Sequence, residues 1–154
     1  MRPSALLTAG LLLAGLLYNP ATGADPVPIP SSSPLASETP SSEDLVVVRI
    51  RGRAFLPDIV RIQAGRRTRL IFQNEDAELH AFVPGTLFNG VNLNISGNGA
   101  PEFSDLGLRR VIIPGGGRAE LRFVLEEPGR YPFVCDMPGH EMRATIVVER
   151  PAPP

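Results

Sequence analysis

Tyr131-Pro-Phe-Val-Cys135-Asp-Met-Pro-Gly-His140-Glu-Met142 collects the rarest side chains of the sequence into one short stretch. It holds the one Cys, one of the two His and two of the three Met of a 154-residue chain. A strand delivers Cys135 at its end, Pro138-Gly139 turns the chain, and His140 and Met142 follow immediately before the last strand. The other His, His80, sits on an earlier strand.

Outward from this stretch the chain reads as short runs of Val, Ile and Phe punctuated by turn residues. The runs are Leu45–Arg51, Asp58–Gln63, Arg67–Asn74, Leu79–Val83, Leu108–Ile113, Ala119–Leu125, Arg130–Cys135 and Arg143–Glu149. In Arg67–Asn74, for example, Leu70 and Phe72 stand opposite Arg69, Ile71 and Gln73. Roughly eight strands with turns this frequent predict an all-β, Greek-key β-sandwich or barrel. The domain is placed at residues 44–150, long enough for one core. Pro84–Asp105, rich in Gly and Asn, is too long for an ordinary connection and is expected to carry structure of its own, such as a short helix.

The N-terminal part reads differently. Arg2 precedes an apolar run, Ala5–Leu17, that is short of the roughly 20 residues needed to span a bilayer. With small residues at Thr22-Gly23-Ala24 it reads as an export signal, residues 1–24, cut before Asp25. The alternative is an uncleaved anchor, and only in that case would the protein attach to a membrane. Residues 25–43, rich in Pro, Ser and Thr without helical period, read as a linker. Residues 151–154 form a short tail. A periplasmic or secreted location follows.

Composition removes several classes of function. Fifteen basic residues, all Arg, face 16 acidic ones for a net charge of −1, so nucleic acid is not an expected partner. One Cys excludes an internal disulfide framework and any multi-cysteine zinc or iron–sulfur site. His140-Glu141 is not a zinc-protease helix, because Ala144 occupies the second His position. There is no Gly-x-Ser-x-Gly elbow, and Pro114-Gly-Gly-Gly117 lacks the Lys and Ser/Thr of a phosphate loop. A multicopper oxidase needs many more histidines, and a binuclear copper site needs two bridging cysteines. No enzymatic activity is expected.

Taken singly, Cys135 reads as a core thiol, His80 as a satisfied core histidine and Met142 as packing. Taken together they offer a thiolate, two imidazoles and a thioether. Two His and one Cys in a plane with a weak axial Met form an electron-transfer copper site. The metal ligands expected are His80, Cys135, His140 and Met142, holding one Cu(I)/Cu(II) ion.

These residues resemble the cupredoxin family of small blue copper proteins, over about Val46–Val148. Phe55-Leu-Pro57 and Val60-Arg-Ile-Gln-Ala-Gly65 look like the family's opening hairpin. Asn74-Glu-Asp76 before His80 is similar to its approach to the first His ligand. Glu127-Pro-Gly-Arg-Tyr131, Phe133-Val-Cys135 and Pro138-Gly-His140 resemble its ligand-bearing end, and Met142-Arg-Ala-Thr145-Ile-Val-Val148 its closing strand. One residue, Glu141, separates His140 from Met142, where most members have a longer gap. The short gap leaves Met137 or a carbonyl oxygen as the alternative weak ligand.

The resemblance implies a monomer that passes single electrons between redox partners such as a cytochrome or a terminal oxidoreductase. A copper trafficking or storage protein without redox traffic is the alternative. By the same resemblance, Asn74 ties the His80 strand to the Cys135 loop. Met137, Pro138 and Gly139 would form an apolar docking patch with Leu87 or Phe88, beside a His140 that lies nearer the surface and serves as the electron exit.

Overall fold

The computed structural model describes residues 43–151. The expected export signal, nearly all of the linker and all but the first residue of the tail lie outside the described residues. Eleven strands follow in order: β1 (Asp44–Ile50), β2 (Phe55–Leu56), β3 (Ile59–Gln63), β4 (Arg67–Asn74), β5 (His80–Phe82), β6 (Asn94–Gly97), β7 (Ala100–Ser104), β8 (Gly107–Ile113), β9 (Arg118–Val124), β10 (Gly129–Val134) and β11 (Arg143–Glu149).

One layer is the five-stranded sheet β2-β1-β4-β9-β6. The other is built from two three-stranded sheets, β10-β11-β3 and β5-β8-β7. A bridge from Val83, just after β5, to Val134, at the end of β10, joins these two. Two pairings are parallel, β1 with β4 and β11 with β3, so the chain crosses repeatedly between layers. The fold is an all-β sandwich.

Alternation within the strands explains the core. Thr68, Leu70, Phe72 and Asn74 of β4 face inward, as do Ala144, Ile146 and Val148 of β11. The central contact is aromatic. Phe133 meets Phe55, Phe82 and Phe72 edge-on at centroid separations of 4.8, 5.1 and 5.8 Å. Such pairs add about 0.5–1.5 kcal/mol each beyond the area that they bury. This packing holds the end of β10 rigid, two residues before Cys135.

Three features differ from the sequence expectation. The described residues form eleven strands where about eight were expected; the extra ones are β2, β6 and β7. The Pro84–Asp105 stretch contributes β6 and β7, with no helix among the described residues. Gly97, at φ +98°, lets the chain turn where a Cβ would meet the backbone of Arg118. Finally, Phe55–Gly65 is not a hairpin. β2 pairs with β1 in one layer, and β3 pairs with β11 in the other.

Candidate metal centre

Cys135 follows the last residue of β10, and its side chain is buried. The loop after it closes tightly. The N–H of Cys135 donates to the carbonyl of Met142 at 3.1 Å, and the N–H of His140 donates to that of Met137 at 3.0 Å. Met137-Pro138-Gly139-His140 is therefore a hydrogen-bonded turn, with Pro second and Gly third at φ +77°. A type II turn demands that order, because only Gly adopts the third conformation cheaply. The turn folds His140 back over Cys135.

His80 begins β5 and is fully buried. Its neighbour Ala81 donates its N–H to the sulfur of Cys135 at 3.3 Å, which pins β5 against the thiol. The Nδ1 atoms of His80 and His140 lie 3.9 and 3.4 Å from that sulfur. The ligand atoms of the three residues all lie within 4.8 Å of one another. The two imidazole centroids are 4.8 Å apart, at an interplanar angle of 46°. His140 is the less buried ring, with 7% of its side chain exposed.

This arrangement suits a single metal ion. Donors held at about 2.0–2.3 Å from one ion stand at most roughly 4.6 Å apart. Both sulfur–nitrogen separations satisfy that bound. A buried thiol with two imidazoles selects a soft-to-borderline ion and fits one copper ion. Met142 is also buried, and its backbone carbonyl is bonded to Cys135, which keeps it at the same end of the sandwich. Met137 is half-buried against the core.

The far nitrogens of both rings face carboxylates that the sequence reading had not assigned to the site. Nε2 of His80 lies 3.0 Å from Oδ2 of Asp76, and Nε2 of His140 lies 3.5 Å from Oε2 of Glu78. Asp76 accepts the backbone N–H groups of Gly52 at 2.7 Å and Arg53 at 3.0 Å. Those bonds, that from Arg53 foremost, together with His80 hold its carboxyl below the usual range. Glu78 is likewise lowered, chiefly by the side chain of Arg53, which binds it through two nitrogens at 2.5 and 2.7 Å. The one available signal was the spacing of Asp76 and His80, four residues apart. Arg53 is brought in from the β1–β2 turn and left no local trace.

Two other expectations are corrected. Asn74 is buried, but it does not reach the Cys135 loop. Its amide donates to the carbonyls of Glu78, Pro114 and Ile113 at 2.8, 3.0 and 3.2 Å, and its Oδ1 accepts the N–H of Asp76 at 3.0 Å. It thus ties the segment before His80 to the end of β8. Leu87 and Phe88 are buried and form no surface patch. The exposed apolar side chain adjoining His80 in sequence is Leu79.

The model of the cupredoxin-like domain matches residues 31–148. The chain is 24% identical over 169 aligned positions to the copper-resistant cuproprotein CopI of Pseudomonas aeruginosa, covering 91% of this chain and 93% of that protein. Among solved structures, auracyanin A, a blue copper protein of Chloroflexus aurantiacus, superposes with a TM-score of 0.51 at 18% identity. The match spans 70% of this chain and all of that one. Auracyanin B gives a TM-score of 0.51 at 22% identity, over 71% of this chain and 90% of that one.

Proposed function

Because the chain belongs to the cupredoxin-like domain family, we propose that it is an exported blue-copper protein that carries single electrons between redox proteins and catalyses no reaction of its own. The observation that carries this reading is the convergence of both Nδ1 atoms on the sulfur of Cys135, 3.4 and 3.9 Å away. Copper bound there would supply a one-electron couple. His80, Cys135 and His140 would be its principal ligands, and the thioether of Met142 would add a weaker contact.

The surrounding protein suits that task. β5, β10 and β11 hold the donors from a rigid core, so little rearranges when charge changes. The N–H of Ala81 directed at the sulfur offsets part of the thiolate charge. His140, the less buried ring, is the exit toward a partner such as a cytochrome.

Loading the purified domain with copper tests the reading. An intense visible thiolate-to-copper band is expected in the wild type and absent in Cys135→Ser. A folded, copper-loaded protein without that band overturns it.

The likeness to a copper-resistant cuproprotein favours a second reading, copper sequestration or delivery through the same ligands. Rapid reversible electron exchange with a cytochrome supports the carrier. Transfer of copper to an apo-protein without such exchange supports the second.

A further inference from the structure

We propose that Asp76 is a positioning residue for His80: its carboxylate takes the hydrogen bond of Nε2–H, fixes the tautomer, and leaves the Nδ1 lone pair turned toward the sulfur of Cys135. A neutral imidazole carries one N–H, and an ionised carboxylate can only accept. With Nε2 3.0 Å from Oδ2 of Asp76, the proton belongs on Nε2. The ring is shut off from bulk solvent, because His80 is fully buried.

The carboxylate is itself held from both sides. Gly52 and Arg53, at φ +59° and +57°, aim two successive backbone N–H groups at it. Successive backbone N–H groups of a turn, here the one closed by Arg51 and Ala54, make a small anion-binding concavity. From the other side Asn74 accepts the backbone N–H of Asp76 and is anchored to three carbonyls. Asp76 therefore cannot follow a ring that rotates.

Asp76 and Glu78 are not equivalent. Glu78 is paired with the guanidinium of Arg53, which neutralises it. Asp76 makes no direct ion pair with an arginine among the described residues, and the Arg53 guanidinium feels its charge less than that of Glu78; its hydrogen-bond donors are backbone amides and His80. Its negative charge therefore bears on the imidazole and enriches Nδ1. On the copper reading, on which this consequence rests, that favours the oxidised over the reduced ion.

Two measurements test the role. In the copper-free protein at pH 8, ¹⁵N NMR should find His80 as the Nε2–H tautomer. The Nδ1–H tautomer overturns the proposal, whether or not copper binds. In the copper-loaded protein, Asp76→Asn should raise the Cu(I):Cu(II) ratio at a fixed applied potential about tenfold, equivalent to about 59 mV for one electron. Asp76→Glu, which keeps the charge, should shift it less. An unchanged ratio in Asp76→Asn, or equal shifts in the two variants, overturns the proposal. Absence of the visible band in the wild type overturns the copper centre instead, and is read separately. If Asp76→Asn does not fold, the wild-type tautomer still decides.

Discussion

The N–H of Cys135 and the carbonyl of Met142 are hydrogen-bonded at 3.1 Å, one step beyond the last β10–β11 pair, Val134 and Arg143. The ligand loop is thus a closed ring hung from the end of a ladder. Its short final gap, Glu141 alone, is accommodated because Met142 takes part in the closure. Met142→Leu conserves volume and should cost less than about 1.5 kcal/mol of stability. It removes the thioether, however, and should raise the reduction potential. Met137→Leu should leave the potential unchanged. Voltammetry of the two variants distinguishes the axial candidates, and the opposite pattern would assign the contact to Met137.

Asn74 satisfies three carbonyls from the interior end of β4. Asn74→Ala leaves them without that donor and should lower unfolding free energy by about 1–3 kcal/mol, measured in urea. Asn74→Asp should cost more, since a carboxylate would face the same carbonyls. Both changes should loosen the segment carrying Asp76 and His80, seen as faster amide exchange between Glu75 and Ala81.

Glu120 on β9 is buried, and Arg69 is its chief partner, with Arg118 and Arg122 alongside. Its carboxyl is lowered, first by the Arg69 hydrogen bond and then by Arg118 and Arg122. A carboxyl depressed in the native state contributes stability above its unfolded pKa of about 4.3. That contribution disappears as pH falls below this value and through the native pKa. Glu120→Gln should therefore reduce the urea midpoint at pH 7. The gap between variant and wild type should shrink toward pH 3. A gap that stays constant with pH would mean that packing, not charge, is what Glu120 provides.

Copper that binds only the native state stabilises it by mass action. At a free concentration 1,000 times the dissociation constant the gain is about 4 kcal/mol. Chelation should lower the thermal midpoint accordingly without changing the far-ultraviolet spectrum. Of the proposed ligands only His80 lies within a strand, at the start of β5, and Cys135 follows the end of β10. A chain that unfolds on chelation would contradict this division.

Most of the eight expected strands were legible because their burial alternates: Leu70 and Phe72 inward, Arg69 outward, is a pattern that survives any topology, whereas β5 is buried throughout and showed only as a short apolar run. β6 and β7 were not legible. Asn-Ile-Ser-Gly and Ala-Pro-Glu-Phe-Ser have no buried residue and owe their conformation to pairing with β9 and β8. The three principal donors stood out because Cys and His are rare here. Asp76 did not, being one of 16 acidic residues. Its importance depends on Gly52 and Arg53, some 24 positions earlier. Carboxylates that orient a ligand are set by tertiary contacts, which strand patterning does not encode.

The parallel ladder of β3 with β11 joins an early part of the chain to its last strand. β3 has no β11 to pair with until Arg143–Glu149 is in place, so that side of the sandwich stays open until then. Cys135 and His140 gain their second anchor only when Arg143–Glu149 docks. The cluster of His80, Cys135 and His140 is therefore complete only once β11 has docked against both β10 and β3.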